Sequence, residues 1–253
     1  MTLPQLKTKT YSLILPSTGK EIIYRPFTVK EEIILLMSID EDKDSRIRAL
    51  RQIIGNCLIT GNLDVFKLPT FDLDYIWLKL RSKSIEEIVT IPFECQNKVG
   101  DTICGTTVNV PINFDMIEVS KNPENNPKIE LQDGIGIIMS YPTFETFQTL
   151  NAVLETNDVE KIFNVALECI SMIYDASGKT YEREHVDKTE MKEFLEALSE
   201  LQFLKIVDFF KTLPTMKHQV HFKCPKCKYE VEVTIEGTQN FLEWDSVTKL
   251  LGT

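Results

Sequence analysis

Four cysteines in this sequence have the residue type and the spacing of a metal site. Cys224 and Cys227 are separated by two residues, and apolar residues alternate with polar ones on both sides of them. This pattern predicts two β-strands joined by a turn that presents two thiolates, the arrangement of a zinc knuckle. A closed structural zinc site takes four ligands, and Cys95 and Cys104 lie on a similar predicted hairpin. The sequence therefore predicts a four-cysteine zinc ribbon that holds one structural zinc ion per chain.

The first pair of cysteines differs from the second in its spacing. Eight residues separate Cys95 from Cys104, so this knuckle must carry a loop, for which Asn97, Gly100 and Asp101 supply suitable turn residues. Other roles remain open at this point, namely free cysteines at strand ends or a redox pair. The redox role is disfavoured because thioredoxin-type pairs open a helix, whereas this pair joins two strands. A disulfide framework is disfavoured too, since six cysteines in 253 residues are sparse.

The sequence has no recognisable set of catalytic residues. It contains no phosphate-binding loop, no Gly-x-Ser-x-Gly elbow and no His-Glu-x-x-His motif. Of its three histidines, His218 and His221 precede the second knuckle, where the alternating pattern favours ordinary strand residues over ligands. Four cysteines around one zinc ion also leave no open position for a catalytic water. We therefore expect a protein that is not an enzyme.

Composition and charge restrict the class of partner. The chain has 253 residues, of which 43% are hydrophobic and 26% charged, as in ordinary globular proteins. Neither a membrane-spanning run nor a secretory leader is recognisable, so we expect no membrane association and a reducing cytoplasm. A net charge of −10 makes nucleic acid an unfavourable main partner. A basic patch could still exist near the second knuckle, where four lysines cluster, but exposure of the turn to solvent is the simpler explanation for them. These lysines are Lys217, Lys223, Lys226 and Lys228.

The elements that present the first cysteine pair occupy residues 1–114. Residues 11–15 and 21–24 predict a hairpin around a Pro-Ser-Thr-Gly turn. A helix should follow from a capping box, in which Thr28 and Glu31 satisfy each other's backbone amides. These residues form the predicted N-terminal half of the chain.

Two further helices should precede the first cysteine hairpin. The acidic loop at residues 40–42 opens one of them, and Cys57 lies on its apolar face, where packing as a small hydrophobic residue is the expected role. The other begins after Thr70 and leads into the hairpin that carries Cys95 and Cys104.

The same order of elements begins again after residues 115–127, whose prolines and polar residues predict a linker. The second half, 128–236, starts with a hairpin that turns at Asp133 and Gly134. A helix should begin near Pro142, and another should open at Asp158. In the second of these helices, Cys169 occupies the place that Cys57 has in the first half. The residues that recur at helical spacing are Ile162, Val165, Ala166, Cys169, Ile170, Ile173 and Tyr174.

Helical segments from Thr189 to Pro214 and the second cysteine hairpin complete this half, and residues 237–253 predict a C-terminal helix. We interpret the chain as two degenerate copies, roughly 9–114 and 127–236, each ordered as a hairpin, helices and a cysteine hairpin. If each copy contributes one knuckle, a single metal ion joins the two. The predicted class is therefore α+β, with two hairpin-plus-helices halves joined by the zinc ribbon.

The chain also resembles the baseplate hub subunit family of T-even-like contractile-tailed bacteriophages. The resemblance covers most of the chain and rests on packing and turn motifs rather than on a chemical signature. These motifs, which the cysteine hairpins follow, are 15–19, 25–32, 53–58, 68–75 and 80–84.

The resemblance implies a non-enzymatic component or assembly factor of the central hub of the tail baseplate. It would bind other hub proteins, with the tape-measure protein as a further candidate, in the host cytoplasm during assembly and in the virion tail baseplate. Cys95, Cys104, Cys224 and Cys227 would be its zinc ligands. The alternative from a different class is a zinc-ribbon module that binds nucleic acid or acts in transcription through the lysines near Cys227.

Overall fold

A computed structural model describes residues 6–38, 41–61, 63–147, 150 and 159–236 of the chain. Helices and strands are mixed throughout these residues, which confirms the predicted α+β class. The chain divides into two compact units. Unit 1 contains the described residues up to Val65, Phe71–Ser120 and the described residues from Thr215, and unit 2 contains Phe66–Thr70 and Lys121–Pro214.

The described helices and strands follow the predicted order closely. The helices are α1 (Val29–Met37), α2 (Lys43–Cys57), α3 (Thr70–Ser84), α4 (Val159–Cys169), α5 (Lys188–Glu196) and α6 (Glu200–Lys211). The strands are β1 (Tyr11–Ile14), β2 (Glu21–Tyr24), β3 (Ile88–Glu94), β4 (Lys98–Val99), β5 (Thr102–Ile103), β6 (Thr107–Asn113), β7 (Glu118–Ser120), β8 (Lys128–Gln132), β9 (Ile135–Met139), β10 (Ile170–Tyr174), β11 (Thr180–Glu182), β12 (Thr215–Lys223) and β13 (Glu230–Glu236).

The start of α1 in unit 1 is fixed by the predicted capping box. The backbone N–H of Thr28 donates to a carboxylate oxygen of Glu31 over 2.9 Å. Glu31 is only 1% exposed and also forms an ion pair of 3.0 Å with Arg25. The Arg25 guanidinium in turn donates to the carbonyl of Asn56 at the end of α2. One buried carboxylate therefore ties the first hairpin to α1 and, through Arg25, to α2.

Both halves of the chain contain the same backbone connection after their first hairpin. In unit 1 the amide of Arg25, which follows β2, donates to the carbonyl of Cys57 over 2.9 Å. In unit 2 the amide of Ser140, which follows β9, donates to the carbonyl of Cys169 over 2.6 Å. Cys57 and Cys169 are 1% and 2% exposed, so both pack as small hydrophobic residues, as predicted. This equivalence supports the internal duplication, which remains a prediction.

The two cysteine hairpins pack against each other within unit 1. Strands β3 and β6 pair with each other, and β12 pairs with β13 on one side and with β7 on the other. The rings of Phe93 and Phe222, one from each hairpin, lie 5.5 Å apart between them. Shared apolar burial therefore places the second hairpin in unit 1, although the sequence analysis assigns it to the half formed by residues 128–236. The buried residues of this core are Leu78, Val110, Ile112, Phe114, Ile117, Met216, Val220 and Ile235.

Unit 2 is built around a four-stranded antiparallel sheet in the order β11-β10-β9-β8. The helix predicted to continue from Cys169 through Ile170, Ile173 and Tyr174 is wrong at these last three residues, which belong to β10. The helix instead ends at Cys169, and Ile170–Tyr174 pairs with β9. The apolar spacing of this segment fits either structure, and pairing with β9 decides in favour of a strand.

The segment predicted as a linker is ordered by contacts within each unit. In unit 1, Ser120 of β7 pairs with Thr215 of β12. In unit 2, the side-chain amide of Asn125 donates to the carbonyl of Phe209 over 3.0 Å, and the Asn125 oxygen accepts from the Tyr141 hydroxyl. Asn125 therefore satisfies a carbonyl near the C-terminal end of α6.

The predicted C-terminal helix, residues 237–253, lies outside the described residues. Among the described helices, none combines the length and the apolar character that a membrane crossing requires.

Candidate metal centre

The tips of the two cysteine hairpins bring four sulfur atoms together. The sulfur of Cys95 lies 3.7 Å from that of Cys227, although 132 positions separate them in the chain. The sulfur of Cys104 lies 3.8 Å from that of Cys224, across 120 positions. All four sulfurs lie within 4.8 Å of one another. The structure therefore assembles the four residues that the sequence selects as candidate zinc ligands.

The distances between the sulfurs fit a tetrahedral ion rather than disulfides. An ion with metal–sulfur bonds of about 2.3 Å separates its ligand sulfurs by about 3.8 Å at tetrahedral angles. The two measured separations, 3.7 and 3.8 Å, match that value. A disulfide requires sulfurs about 2.0 Å apart, and all four cysteines are free thiols. The cluster therefore has the size of a closed four-thiolate site.

The second knuckle is a tight turn closed by two backbone hydrogen bonds. The amide of Cys224 donates to the carbonyl of Tyr229 over 2.9 Å, and the amide of Lys228 donates to the carbonyl of Cys224 over 3.0 Å. Lys228 adopts a φ of 61°, a left-handed conformation that lets the chain turn back after Cys227. This turn directs both sulfurs to the same side.

The first knuckle contains the same turn with a hairpin inserted into it. The amide of Cys95 donates to the carbonyl of Thr106 over 2.9 Å, and the amide of Gly105 donates to the carbonyl of Cys95 over 3.0 Å. Gly105 has a φ of 62° and therefore corresponds to Lys228. The amide of Cys104 donates to the carbonyl of Asn97 over 2.8 Å and closes the base of the insertion. The eight-residue gap thus lengthens the knuckle without changing how it presents its sulfurs.

The inserted hairpin consists of β4 and β5. Val99 of β4 pairs with Thr102 of β5, and Gly100, at φ 65°, begins the turn between them. Asn97 and Gly100 therefore act at the positions where the sequence predicted turn residues.

Hydrogen bonds from neighbouring residues favour the thiolate form of two of the sulfurs. The backbone amide of Tyr229 lowers the pKa of Cys227, with help from the Asn97 side chain 3.6 Å from its sulfur, to about 6. The Thr106 hydroxyl, 3.3 Å from the sulfur of Cys104, lowers the pKa of that thiol. These donors stabilise negative charge on the side chains that a cation would bind.

The pKa of Cys95, in contrast, is raised. The backbone amide of Asn97 lowers its pKa, but burial and the three neighbouring sulfurs outweigh this and raise the pKa to about 12. Thiolates this close repel one another, so they cannot all ionise without a compensating cation. A bound divalent metal would supply that compensation.

No fifth ligand candidate joins the four sulfurs among the described residues. Cys95 and Cys224 are fully buried, whereas Cys104 and Cys227 are half-buried at the rim. His221 lies on the exposed face of β12, 3.9 Å from Glu232 of β13, and His218 is also a residue of that strand. Both histidines are therefore strand residues, as predicted. The donor set fits a structural ion, since four thiolates leave no open coordination position.

Sequence reasoning missed the groups that surround the sulfurs. Asn97, Thr106 and Tyr229 each supply a backbone hydrogen bond to a cysteine, and Thr106 and Asn97 add one from the side chain. Backbone donors leave no signature in side-chain type. The one available signal was Gly105 directly after Cys104, because a knuckle commonly needs a left-handed residue at this position.

The lysines predicted near the second knuckle do not form a uniform basic surface. Lys223 of β12 lies 3.4 Å from Glu230, its neighbour on β13. Lys226 and Lys228 are exposed on the turn and form no ion pair among the described residues. Lys226 and Lys228 therefore present positive charge at the tip of the ribbon, whereas Glu230 compensates that of Lys223.

Comparison with known proteins identifies the family. No curated protein and no solved structure matches the chain. The sequence model described as T4 bacteriophage base plate protein matches residues 8–243, which include both cysteine hairpins and both units. This chain therefore belongs to the T4 bacteriophage base plate protein family.

Proposed function

We propose that this chain is a non-enzymatic structural or assembly component of the central hub of a contractile phage tail baseplate. It would act by docking with other hub proteins, and the tape-measure protein is a further candidate partner. Its cysteine ribbon, formed by strands β3, β6, β12 and β13, would be held by one structural zinc ion. The family match supports the baseplate setting, and the more specific hub role rests on the resemblance described above.

The single observation that carries the metal part of this proposal is the spacing of the four sulfurs. Two of their separations, 3.7 and 3.8 Å, match the edge of a zinc–thiolate tetrahedron, and all four sulfurs lie within 4.8 Å of one another. Cys95, Cys104, Cys224 and Cys227 would therefore be the ligands. When bound, zinc would supply the positive charge that lets four adjacent thiolates coexist. It would thereby clamp the two hairpin tips together.

A structural role for the ion follows from the completeness of its ligand set. Catalytic zinc sites keep one position for water or substrate, whereas four cysteines fill the tetrahedron. Two of the four, Cys95 and Cys224, are fully buried, so no substrate reaches them. The ribbon would then present a rigid surface to other proteins instead of performing a reaction.

Nucleic acid binding is the weaker alternative. The strand that carries Lys223 and His221 faces Glu230 and Glu232 on β13, so its positive charges lie opposite negative ones. A protein with a net charge of −10 also repels phosphates at long range. Retention on DNA that weakens with salt would favour this alternative over the baseplate role.

Elemental analysis of the purified chain tests the metal. We expect about one zinc per chain, and we expect a chelator to lower the melting temperature as it removes the ion. A chain that contains no zinc, and whose stability a chelator leaves unchanged, would eliminate the site. Phage tails then test the role, because electron microscopy of assembled baseplates should place the chain at the hub or in a hub precursor. Its absence from baseplates and from all their precursors would contradict the proposal.

A further inference from the structure

The hairpin inserted into the first knuckle contributes no buried residue to the core of the ribbon. The second knuckle closes with only two residues between its cysteines, so the metal does not require β4 and β5. Val99 and Ile103 are each 54% exposed, and neither belongs to the buried core of the ribbon. Exposed apolar residues on a short hairpin cost solubility unless another surface covers them.

Contacts at the metal centre join this hairpin to the second knuckle. The side-chain amide of Asn97, directly before β4, lies 3.6 Å from the sulfur of Cys227. Tyr229, two positions after Cys227, is 52% exposed. The base of the insertion therefore adjoins the second knuckle. Lys98 of β4 pairs directly with Ile103 of β5, so their side chains lie on the same face of the inserted hairpin, opposite to Val99. We call the exposed residues of this face and of the second knuckle the ribbon tip and define it by Lys98, Ile103, Lys226, Lys228 and Tyr229.

Lys228 occupies a backbone conformation that favours glycine. Its φ of 61° is the left-handed conformation, which is strained for residues with a Cβ. The corresponding residue of the first knuckle is Gly105, at φ 62°, which adopts this conformation without strain. A glycine at 228 would therefore give a more stable turn. The chain instead keeps a long cationic side chain there at a conformational cost.

The charge of the ribbon tip stands out from the rest of the chain. Lys98, Lys226 and Lys228 are exposed and have no ion-pair partner among the described residues, in contrast to Lys223, which pairs with Glu230. The whole chain carries a net charge of −10. These three lysines would therefore attract an acidic partner, although the chain as a whole is acidic.

We propose that the ribbon tip is a docking surface for an acidic segment of another baseplate protein that also carries apolar side chains. Three lysines would pair with its carboxylates, while Ile103 and Tyr229 would bury its apolar groups. Tyrosine suits such a surface because its ring buries apolar area while its hydroxyl stays solvated. The metal would set the relative position of the two halves of this surface. This inference rests on the proposed baseplate function and specifies the partner's chemistry.

Nucleic acid is the less suitable occupant of this surface. Three lysines neutralise few phosphates, and affinity for nucleic acid depends on how many are neutralised. Of the two apolar groups of the ribbon tip, Ile103 is aliphatic and offers no ring for bases to stack on. A protein segment can satisfy both the lysines and Ile103.

The test uses baseplates or their precursors purified from phage that lacks this chain. Binding of the zinc-loaded chain to these particles is measured for the wild type and for two variants of the ribbon tip, K226E/K228E and I103S. Matched controls carry the same kinds of change at exposed residues outside the ribbon tip, K188E/K192E and I88S. All variants are checked for zinc content and melting temperature, so that misfolded proteins are recognised.

We expect each tip variant to bind roughly tenfold more weakly than wild type, with zinc retained, while both controls bind normally. A peptide of alternating Asp and Leu should compete with the particles, whereas a Lys–Leu peptide and single-stranded DNA should not. The single variant K228G should melt at a higher temperature than wild type and yet bind more weakly, which a merely structural lysine would not do.

Two outcomes would overturn the inference and are distinguishable from each other. If wild type binds the particles and the tip variants bind equally well, or if DNA competes better than the acidic peptide, the ribbon tip is not the docking surface. If wild type does not bind the particles at all, the proposed baseplate function fails together with the inference.

Discussion

The sulfur of Cys95 lies 3.7 Å from the sulfur of Cys227, a contact between the tips of two hairpins that are 132 positions apart in the sequence. Apolar packing aligns the hairpins, since the tilted rings of Phe93 and Phe222 lie 5.5 Å apart between them. Packing alone, however, does not compensate the repulsion of four neighbouring thiolates. An ion at the tips would therefore act together with the apolar core, and removing it should loosen the ribbon.

Substitution of single cysteines separates the candidate ligands from the packing cysteines. Zinc bound to finger peptides contributes about 10–16 kcal/mol of apparent binding free energy at neutral pH, much of it realised as folding. Cys224→Ser should therefore abolish zinc binding and lower the melting temperature strongly. Cys57→Ala removes one small buried group and should cost about 1 kcal/mol, with zinc content unchanged. Elemental analysis and thermal unfolding measure both, and equal, mild effects of the two changes would contradict this separation.

The ion pair between Arg25 and Glu31 predicts loss of stability in acid. The hydrogen bond from Arg25 lowers the pKa of Glu31 from 4.5 to about 2, so the folded state binds this proton less tightly than the unfolded state. The stabilisation is therefore fully present above about pH 4.5 and is lost as the pH falls towards 2. Glu31→Gln should cost about 2 kcal/mol at pH 7, because it leaves the Arg25 charge unpaired.

Denaturant unfolding at a series of pH values checks this prediction. The difference in unfolding free energy between wild type and Glu31→Gln should shrink as the pH falls from 4.5 to 2. Glu41→Gln, at an exposed position, is the control and should change stability little at any pH. A difference that stays constant with pH would show that the ion pair is not its source.

How much of this fold the sequence predicts depends on how local each signal is. The capping box of Thr28 and Glu31 was recognisable because its partners are three residues apart. The hairpins around Cys95 and Cys224 were recognisable from alternation within each strand. The strand at Ile170–Tyr174 was predicted as helix, because its partner strand ends at Met139, 31 positions before Ile170. Long-range pairing overrides a periodicity that fits both structures.

The candidate metal centre likewise combines features with a local sequence signal and features that depend on long-range contacts. The ligand types were visible in the sequence because few residues other than cysteine bind zinc as thiolates. The assignment of both hairpins to unit 1 was not visible, because it depends on apolar contacts such as that between Phe93 and Phe222. The contact from Asn97 to the sulfur of Cys227 crosses 130 positions and likewise has no local signature.

Asp74, a buried aspartate of α3, should make the protein less stable as the pH rises, whereas Glu31 makes it less stable as the pH falls. Asp74 is 4% exposed, one of its carboxyl oxygens has no hydrogen-bond partner, and burial raises its pKa well above 3.8. The folded state therefore holds this proton more tightly than the unfolded state does. This group's contribution is fully present below about pH 4 and is lost as the pH rises. Asp74→Asn should therefore be more stable than wild type at pH 8 and similar to it at pH 4.

Asp72, on the same helix, provides the matched control. Its carboxylate accepts hydrogen bonds from both the backbone amide and the hydroxyl of Ser17, so Asp72→Asn removes a charged acceptor and should lower stability at pH 8. Chemical denaturation at pH 4 and pH 8 measures both variants. If Asp74→Asn also proves less stable at pH 8, its carboxyl group has a compensating partner and the prediction is wrong.

Gly136 of β9 should tolerate no side chain, because Tyr174 of β10 occupies the space above it. The two residues pair directly across the sheet, and a Cβ on Gly136 would collide with the Tyr174 ring and with the carbonyl of Ile129. The ring is held in place by Lys128, whose ammonium group lies 4.9 Å from its centroid. Gly136→Ala should therefore cost about 2 kcal/mol through overpacking, measured by thermal or denaturant unfolding. Gly61→Ala, where a Cβ meets no atom within 4 Å, should change stability by less than about 0.5 kcal/mol, and similar losses at both positions would contradict the role of Tyr174.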